Sequence, residues 1–428
     1  VISLIENVNI DRNGKGDIIM LFAHENGRTI PKEDKIFAIN GRAKAMIAEE
    51  GKENVINATI GALLDDNGDL TVLSSVMDAL GTLEPVDFAE YAPIGGTPEF
   101  KAAVEKALFG SKRPEGEVRV CATPGGTGAI RNVIANYSEP GDKILTHDWY
   151  WANYKNIAGE LGRGFETFSF FNEEGTFNAD DFEKVLGEVA KEQDSLVVII
   201  NTPAHNPTGY TLTDDDWKRA IAAMNDVAAE CKITLFIDVA YIDFAGDEEK
   251  ARSFMLLLPE LSENVLTVFG YSASKTLTLY GMRCGALVCL AKDEEAAEEF
   301  RKVAEFSARA TWSNCTRAAQ VVMGKIYNDP ELEAKVDAER EGIRDMLLER
   351  GKAFEEALHE EGVESVPFDA GFFASIASDD PDAVSAELEK EGIFTVPLAK
   401  GVRVSVASIS KEKCVKAAKA IAKIMKAE

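Results

Sequence analysis

The chain reads as an α/β protein: a large domain on a mostly parallel, mixed sheet covered by helices, joined to a smaller α+β domain. Three observations predict this. Short β-rich runs alternate with amphipathic helical stretches through the middle of the chain. Those runs are nearly continuous in apolar residues, as strands buried on both faces must be. From about Asp329 the pattern changes to long charged helices interrupted by short strands. At 428 residues the chain also exceeds one simple core, so two domains are expected.

In chain order, the first 33 residues are polar and contain Asn13-Gly14 and Asn26-Gly27, with a strand-like stretch at 17–22; they read as an N-terminal arm. Strands are expected at 118–121, 143–146, 196–201, 234–237, 265–269 and 285–290. Between them lie segments such as 214–231, where Trp217, Ile221, Met224 and Val227 recur at helical spacing. Thr213 ahead of Asp214-Asp215-Asp216 supplies an N-cap and an acidic first turn. Long helices are expected at 332–360 and 382–391, short strands at 372–377 and 402–406, and a Lys/Ala-rich helix at the end. The expected division is an arm at 1–33, small-domain segments at 34–74 and 331–428, and a large domain at 75–330.

Composition narrows the partners. A hydrophobic fraction of 46% and a charged fraction of 28% describe an ordinary globular chain. Forty-six basic against 73 acidic side chains leave a net charge of −27, a field that repels nucleic acid and anionic membranes. No apolar stretch approaches the ~18 residues that span a bilayer, and the first residues do not read as a signal peptide. Six cysteines without a Cys-x-x-Cys pattern read as reduced, buried thiols of a cytoplasmic protein. Cys284 and Cys289 fall on one expected strand, where an odd separation points them to opposite faces. His24, His147, His205 and His359 are scattered and make no metal site.

In an open parallel sheet, ligands bind beyond the carboxyl ends of the strands, and the unusual residues of this chain follow strand after strand. After 118–121 comes Thr123-Pro124-Gly125-Gly126-Thr127-Gly128-Ala129, which reads as a plain turn or as a helix N-terminus offering N–H groups to a phosphate. It lacks the Gly-Lys-Ser/Thr ending of a P-loop. After 196–200 comes Ala204-His205-Asn206-Pro207-Thr208-Gly209, a strong turn signal whatever its function. Asp238 ends the next strand, followed by Val239-Ala240-Tyr241. A carboxylate there is costly to bury without a partner; a cationic pyridinium N–H would be one, and a helix N-cap is the other reading. After 265–269 comes Tyr271-Ser272-Ala273-Ser274-Lys275, with Arg283 eight positions on. A lysine so placed suits a Schiff base to an aldehyde cofactor, with Ser272 and Arg283 left for a phosphate.

Taken together and in this order, these motifs resemble the fold type I pyridoxal-phosphate enzymes, and among them class I aminotransferases of the aspartate/aromatic subgroup. Asn57-Ala58-Thr59-Ile60-Gly61-Ala62, the Tyr91–Phe100 stretch and Arg309-Ala310-Thr311-Trp312-Ser313-Asn314 extend the likeness from about Asp34 onward.

The resemblance implies pyridoxal 5'-phosphate as cofactor, with Lys275 carrying it as a Schiff base and shuttling the proton at the substrate Cα. It implies Asp238 on the pyridine nitrogen, and Asn206 with Tyr241 on the ring hydroxyl. Gly126, Thr127, Ser272 and Arg283 would cradle the phosphate, with Tyr91 arriving from a neighbouring subunit. Trp151 would stack on the ring; Trp149 is the alternative. Arg403 would grip the substrate α-carboxylate with help from the backbone at Gly61 and from Asn206. Arg309, supplied across a homodimer, would bind the side-chain carboxylate of aspartate or glutamate; relatives that accept aromatic substrates also keep it. Two features depart from the pattern. Tyr154 and Asn201 stand where aspartate-specific relatives often have histidines behind Asp238, and the arm is longer than expected.

The implied reaction moves an amino group from an L-amino acid to a 2-oxo acid in ping-pong fashion. A lyase or decarboxylase on the same residues is the alternative. A regulatory protein on the same scaffold is disfavoured, because Lys275, Asp238, Arg283 and Arg403 are all present.

Overall fold

A computed structural model describes residues 34–426 and two short strands, Asp11–Arg12 and Ile18–Ile19, which pair antiparallel. The rest of the arm, with His24 and most of the 17–22 stretch, lies outside the described residues.

The centre is a seven-stranded sheet of β1 (Glu117–Thr123), β2 (Lys143–His147), β3 (Gly164–Phe168), β4 (Ser195–Asn201), β5 (Lys232–Asp238), β6 (Val265–Ser272) and β7 (Gly285–Ala291). Their spatial order is β1-β7-β6-β5-β4-β2-β3. Only β7 runs against its neighbours. The chain between β6 and β7 holds two single helical turns and no full crossover helix, so it returns antiparallel. Strand β3 escapes the sequence reading because it is an edge strand whose Gly164, Phe165, Glu166 and Thr167 are only half-buried. It has no apolar run to show.

The two faces of the sheet feed two cores. Along β7, Ala286, Val288 and Leu290 join one core, while Leu287, Cys289 and Ala291 join the other. Each fully buried Leu, Val or Ile stabilises the sheet by about 1.5–3 kcal/mol. Cys284 and Cys289 do face opposite cores, although Cys284 lies just ahead of β7. All six cysteines are buried and unpaired.

Helix Asp214–Val227 starts at a capping box: Thr213 accepts from Asp216 N, and the Asp216 carboxylate accepts from Thr213 N. It buries Trp217, Ile221 and Met224, then stops at Val227, short of the expected Cys231.

A smaller three-stranded antiparallel sheet holds Gly401–Ser405 between Phe373–Ala377 and Val396–Leu398. Beside it, Ile56–Asn57 pairs parallel with Ile393–Phe394, which brings the early chain to the late chain. Helix Pro330–Glu360 crosses between the two bodies. Its Val336, Ile343 and Leu347 belong to the large core, and its Phe354, Ala357 and Leu358 pack with Val402 and Val404.

Candidate active site

The carboxyl ends of β1, β4, β5 and β6 and the amino end of the reversed β7 lie on one edge of the sheet. That edge opens into a cavity of about 550 Å³. Gly126 and Thr127 reach it from the first turn of helix Gly125–Tyr137, Asn206 from the turn after β4, and Asp238 and Ser272 as the last residues of β5 and β6. Tyr241, Lys275 and Arg283 follow on the adjoining turns, Trp151 comes from the segment after β2, and Gly61 and Arg403 from the smaller body. Trp149 is instead packed in the large core, 6% exposed, and does not line the cavity.

Asp238 forms the floor. Tyr154 Oη donates to its Oδ2 at 2.6 Å, and Ala240 N to its Oδ1 at 3.1 Å. Asn201 Nδ2 donates to the Asp238 carbonyl at 2.8 Å, and Asn201 Oδ1 accepts from Asn206 N at 2.6 Å. Tyr154 and Asn201, which depart from the family pattern, thus hold the floor and the Asn206 turn together. Burial pushes the Asp238 carboxyl above the usual range, and Tyr154, Ala240 N and Lys275 pull it back.

Lys275 is half-buried, and its Nζ donates to Gly61 O at 2.5 Å. The ammonium lies 4.7 Å from the centre of the Tyr280 ring and 5.5 Å from that of Tyr241. Burial, then the neighbouring Arg403 and Arg283, lower it to about 7, with Asp238 opposing.

Arg403 donates from Nη1 to Asn206 Oδ1 at 3.2 Å and from Nη2 to Thr59 O at 2.8 Å, and lies over Phe373. Its buried Nε has no partner. Burial draws the guanidinium down to about 10. Arg283 sits at φ 50° and donates to Tyr280 O at 2.9 Å and Pro124 O at 3.3 Å. Gly125, at φ 75°, lies against it: a Cβ there would come within 2.5 Å of Arg283 Nη2. Only glycine meets both demands.

Tyr91 and Arg309 do not reach the cavity. Tyr91 is 84% exposed and Arg309 is exposed, bonded to Ser313 Oγ. Asn314 Nδ2 donates to Ala92 O at 2.6 Å, which ties the turn after the Arg309 helix to the Tyr91 segment.

Sequence reasoning missed several residues. Ser274, Thr59, Tyr280 and Phe373 line the cavity and Gly125 packs against Arg283; Gly125, Ser274 and Thr59 fall within quoted motifs without a role assigned, and only the packing distinguishes all five. The histidines need a correction as well. His147 and His205 are not scattered: they close adjacent-strand ends, and their rings lie 4.5 Å apart. Among the described residues no group of three or more His, Cys, Asp or Glu side chains could hold a metal ion.

The donor set suits one kind of ligand. A buried carboxylate on the floor matches a protonated ring nitrogen. A glycine turn with an arginine matches a phosphate, and a lowered lysine matches an aldehyde. The orphaned Arg403 Nε leaves donor capacity for a carboxylate.

Comparison with known proteins follows this geometry. The family model for aminotransferase class I and II matches residues 53–421. The aromatic-amino-acid aminotransferase of Pseudomonas aeruginosa is 30% identical over 71% of this chain and 75% of its own. The aspartate aminotransferase of Escherichia coli is 28% identical over 76% and 81%. A solved aminotransferase from Anaerococcus prevotii superposes with a TM-score of 0.92 at 39% identity, covering 95% of this chain and 99% of that one. An aromatic-amino-acid aminotransferase from Burkholderia pseudomallei, solved covalently bound to pyridoxal phosphate, shares the fold at 24% identity, with a TM-score of 0.78 over 92% and 98%.

Proposed function

The chain belongs to the class I and II aminotransferases and is a pyridoxal-phosphate-dependent transaminase of the aspartate/aromatic type; from this we propose the roles of its residues. When bound, the cofactor supplies an aldehyde for the amine and a conjugated ring that draws electron density from the substrate Cα. Asp238 would hold the proton on its ring nitrogen. Tyr241 and Asn206 would donate to its ring hydroxyl oxygen, and Trp151 would cover its ring. Gly126, Thr127, Ser272 and Arg283 would hold its phosphate. Arg403 and the backbone at Gly61 orient the substrate α-carboxylate. Lys275 Nζ takes and returns the proton at Cα.

One observation carries this reading. The Lys275 amine donates to Gly61 O in the same cavity that Asp238 and Arg403 line, and burial with the neighbouring arginines lowers it to about 7, so near neutral pH much of it is uncharged and able to act as nucleophile and base.

Tyr91 and Arg309 complete the site of a second copy. Supporting this, Phe306 stands one helical turn from Arg309 and is 77% exposed, and Phe88 beside Tyr91 is 63% exposed. That apolar face suits the homodimer, and Arg309 directs the site toward aspartate or glutamate, with aromatic side chains also admitted. Residues 34–74 and 331–428 form the small domain and 75–330 the large one. A cytoplasmic setting is supported by the unpaired thiols. No helix among the described residues is long and apolar enough to cross a membrane.

The test follows the visible band of the holoenzyme against a panel of amino acids. Bleaching by aspartate or glutamate with stoichiometric oxo-acid release is expected. Release of carbon dioxide or ammonia instead would move the reading to a decarboxylase or lyase.

A further inference from the structure

Asp243 is a buried carboxylate that none of these roles uses, 7% exposed and two residues beyond Tyr241. Its Oδ1 accepts from Arg252 Nη2 at 2.7 Å. Its Oδ2 accepts from Thr276 Oγ1 at 2.6 Å and lies 3.4 Å from Arg340 Nη1. Arg252 in turn caps the carbonyls of Ala107 and Leu108, and Arg340 rises from the helix Pro330–Glu360. Burial raises the Asp243 carboxyl, but Arg340, Arg252 and Thr276 more than offset it, so the group stays charged.

Two buried arginines account for a buried carboxylate. They do not account for Thr276, which stands next to Lys275. Lys275 and Thr276 belong to the four-residue helix Ala273–Thr276, and Tyr241 opens the single turn Ile242–Phe244. One-turn elements have too few internal hydrogen bonds to hold their own position. The Asp243–Thr276 bond is the polar link between them.

We propose that Asp243 is a positioning residue: through Thr276 it fixes the Lys275 turn against the Tyr241 turn, and the two arginines anchor it to the rest of the fold. The proposal rests on the roles given above to Lys275 and Tyr241.

Thr276→Val in the holoenzyme removes the hydroxyl and leaves every charge in place. The expected result is a kcat lowered by roughly ten- to a hundredfold with KM changed little, because the reacting groups lose their alignment. The pH midpoint of the visible band should move by about half a unit or more, since Tyr241 then sits differently against Lys275. Thr276→Ser should restore both. A band midpoint unmoved by Thr276→Val, whatever the rate, overturns the proposal. Asp243→Asn should shift the same midpoint; if it fails to fold, the Thr276 pair still decides. A wild-type holoenzyme without any band would instead overturn the assignment of Lys275, so the two failures are told apart.

Discussion

The phenol of Tyr154 donates a 2.6 Å hydrogen bond to Asp238 Oδ2, with both groups buried. The floor of the cavity is therefore held by a group that stays neutral: burial, then Asp238 itself, push the Tyr154 hydroxyl well above 10. The phenol itself therefore adds no titration near neutral pH.

Tyr154→Phe removes the first of the groups that lower the Asp238 carboxyl, which should rise further. A hydrogen bond to a charged group contributes about 2 kcal/mol, so kcat should fall by up to roughly thirtyfold and cofactor should bind more weakly. Titration with cofactor and steady-state kinetics check this. Tyr154→His should introduce pH dependence between pH 5 and 8, where imidazole titrates.

The lowered Lys275 gives a pH dependence with a definite sign. Below about 7 the amine is protonated and cannot attack an aldehyde; above it the neutral form dominates. Cofactor capture by apoprotein should therefore rise with pH with a midpoint near 7, far below the ordinary lysine value of 10.5. Arg403→Ala removes the larger of the two positive neighbours and should move the midpoint upward. Stopped-flow capture rates across pH measure both.

Gly125→Ala places a Cβ against Arg283 at a backbone angle that side chains rarely adopt. Strain of about 1–3 kcal/mol is expected at such a position. It should appear as cofactor affinity weakened roughly tenfold or more, with the substrate dependence of the loaded enzyme less affected. Equilibrium dialysis separates the two.

Arg309→Ala should depress activity on aspartate and glutamate far more than on phenylalanine. Equal losses on all three would show that Arg309 does not read the side chain. Dilution that dissociates a dimer should remove activity in step, which sedimentation and assay at matched concentrations check.

Most of the sheet was legible because β4, β5, β6 and β7, and the second half of β1, are buried on both faces and show as apolar runs. Strand β3 was not, since four of its five residues are only half-buried and polar residues interrupt its pattern. Lys275, Asp238 and Arg283 could be named because charges beside the ends of buried strands are conspicuous; Arg403, in the middle of its strand, was named through the family resemblance. Gly125, Tyr280 and Asp243 could not be singled out: a positive φ, a phenol 4.7 Å from an ammonium and a carboxylate between two arginines arise only in three dimensions. The meeting of His147 with His205 depends on strand order, which spacing along the chain does not reveal.

The most direct measurement treats cofactor-loaded protein with borohydride and maps the modified peptide by mass. The account predicts a stable pyridoxyl-phosphate tag on Lys275 and its absence from the Lys275→Ala variant. A tag on another lysine, or none in protein that still transaminates, would contradict it.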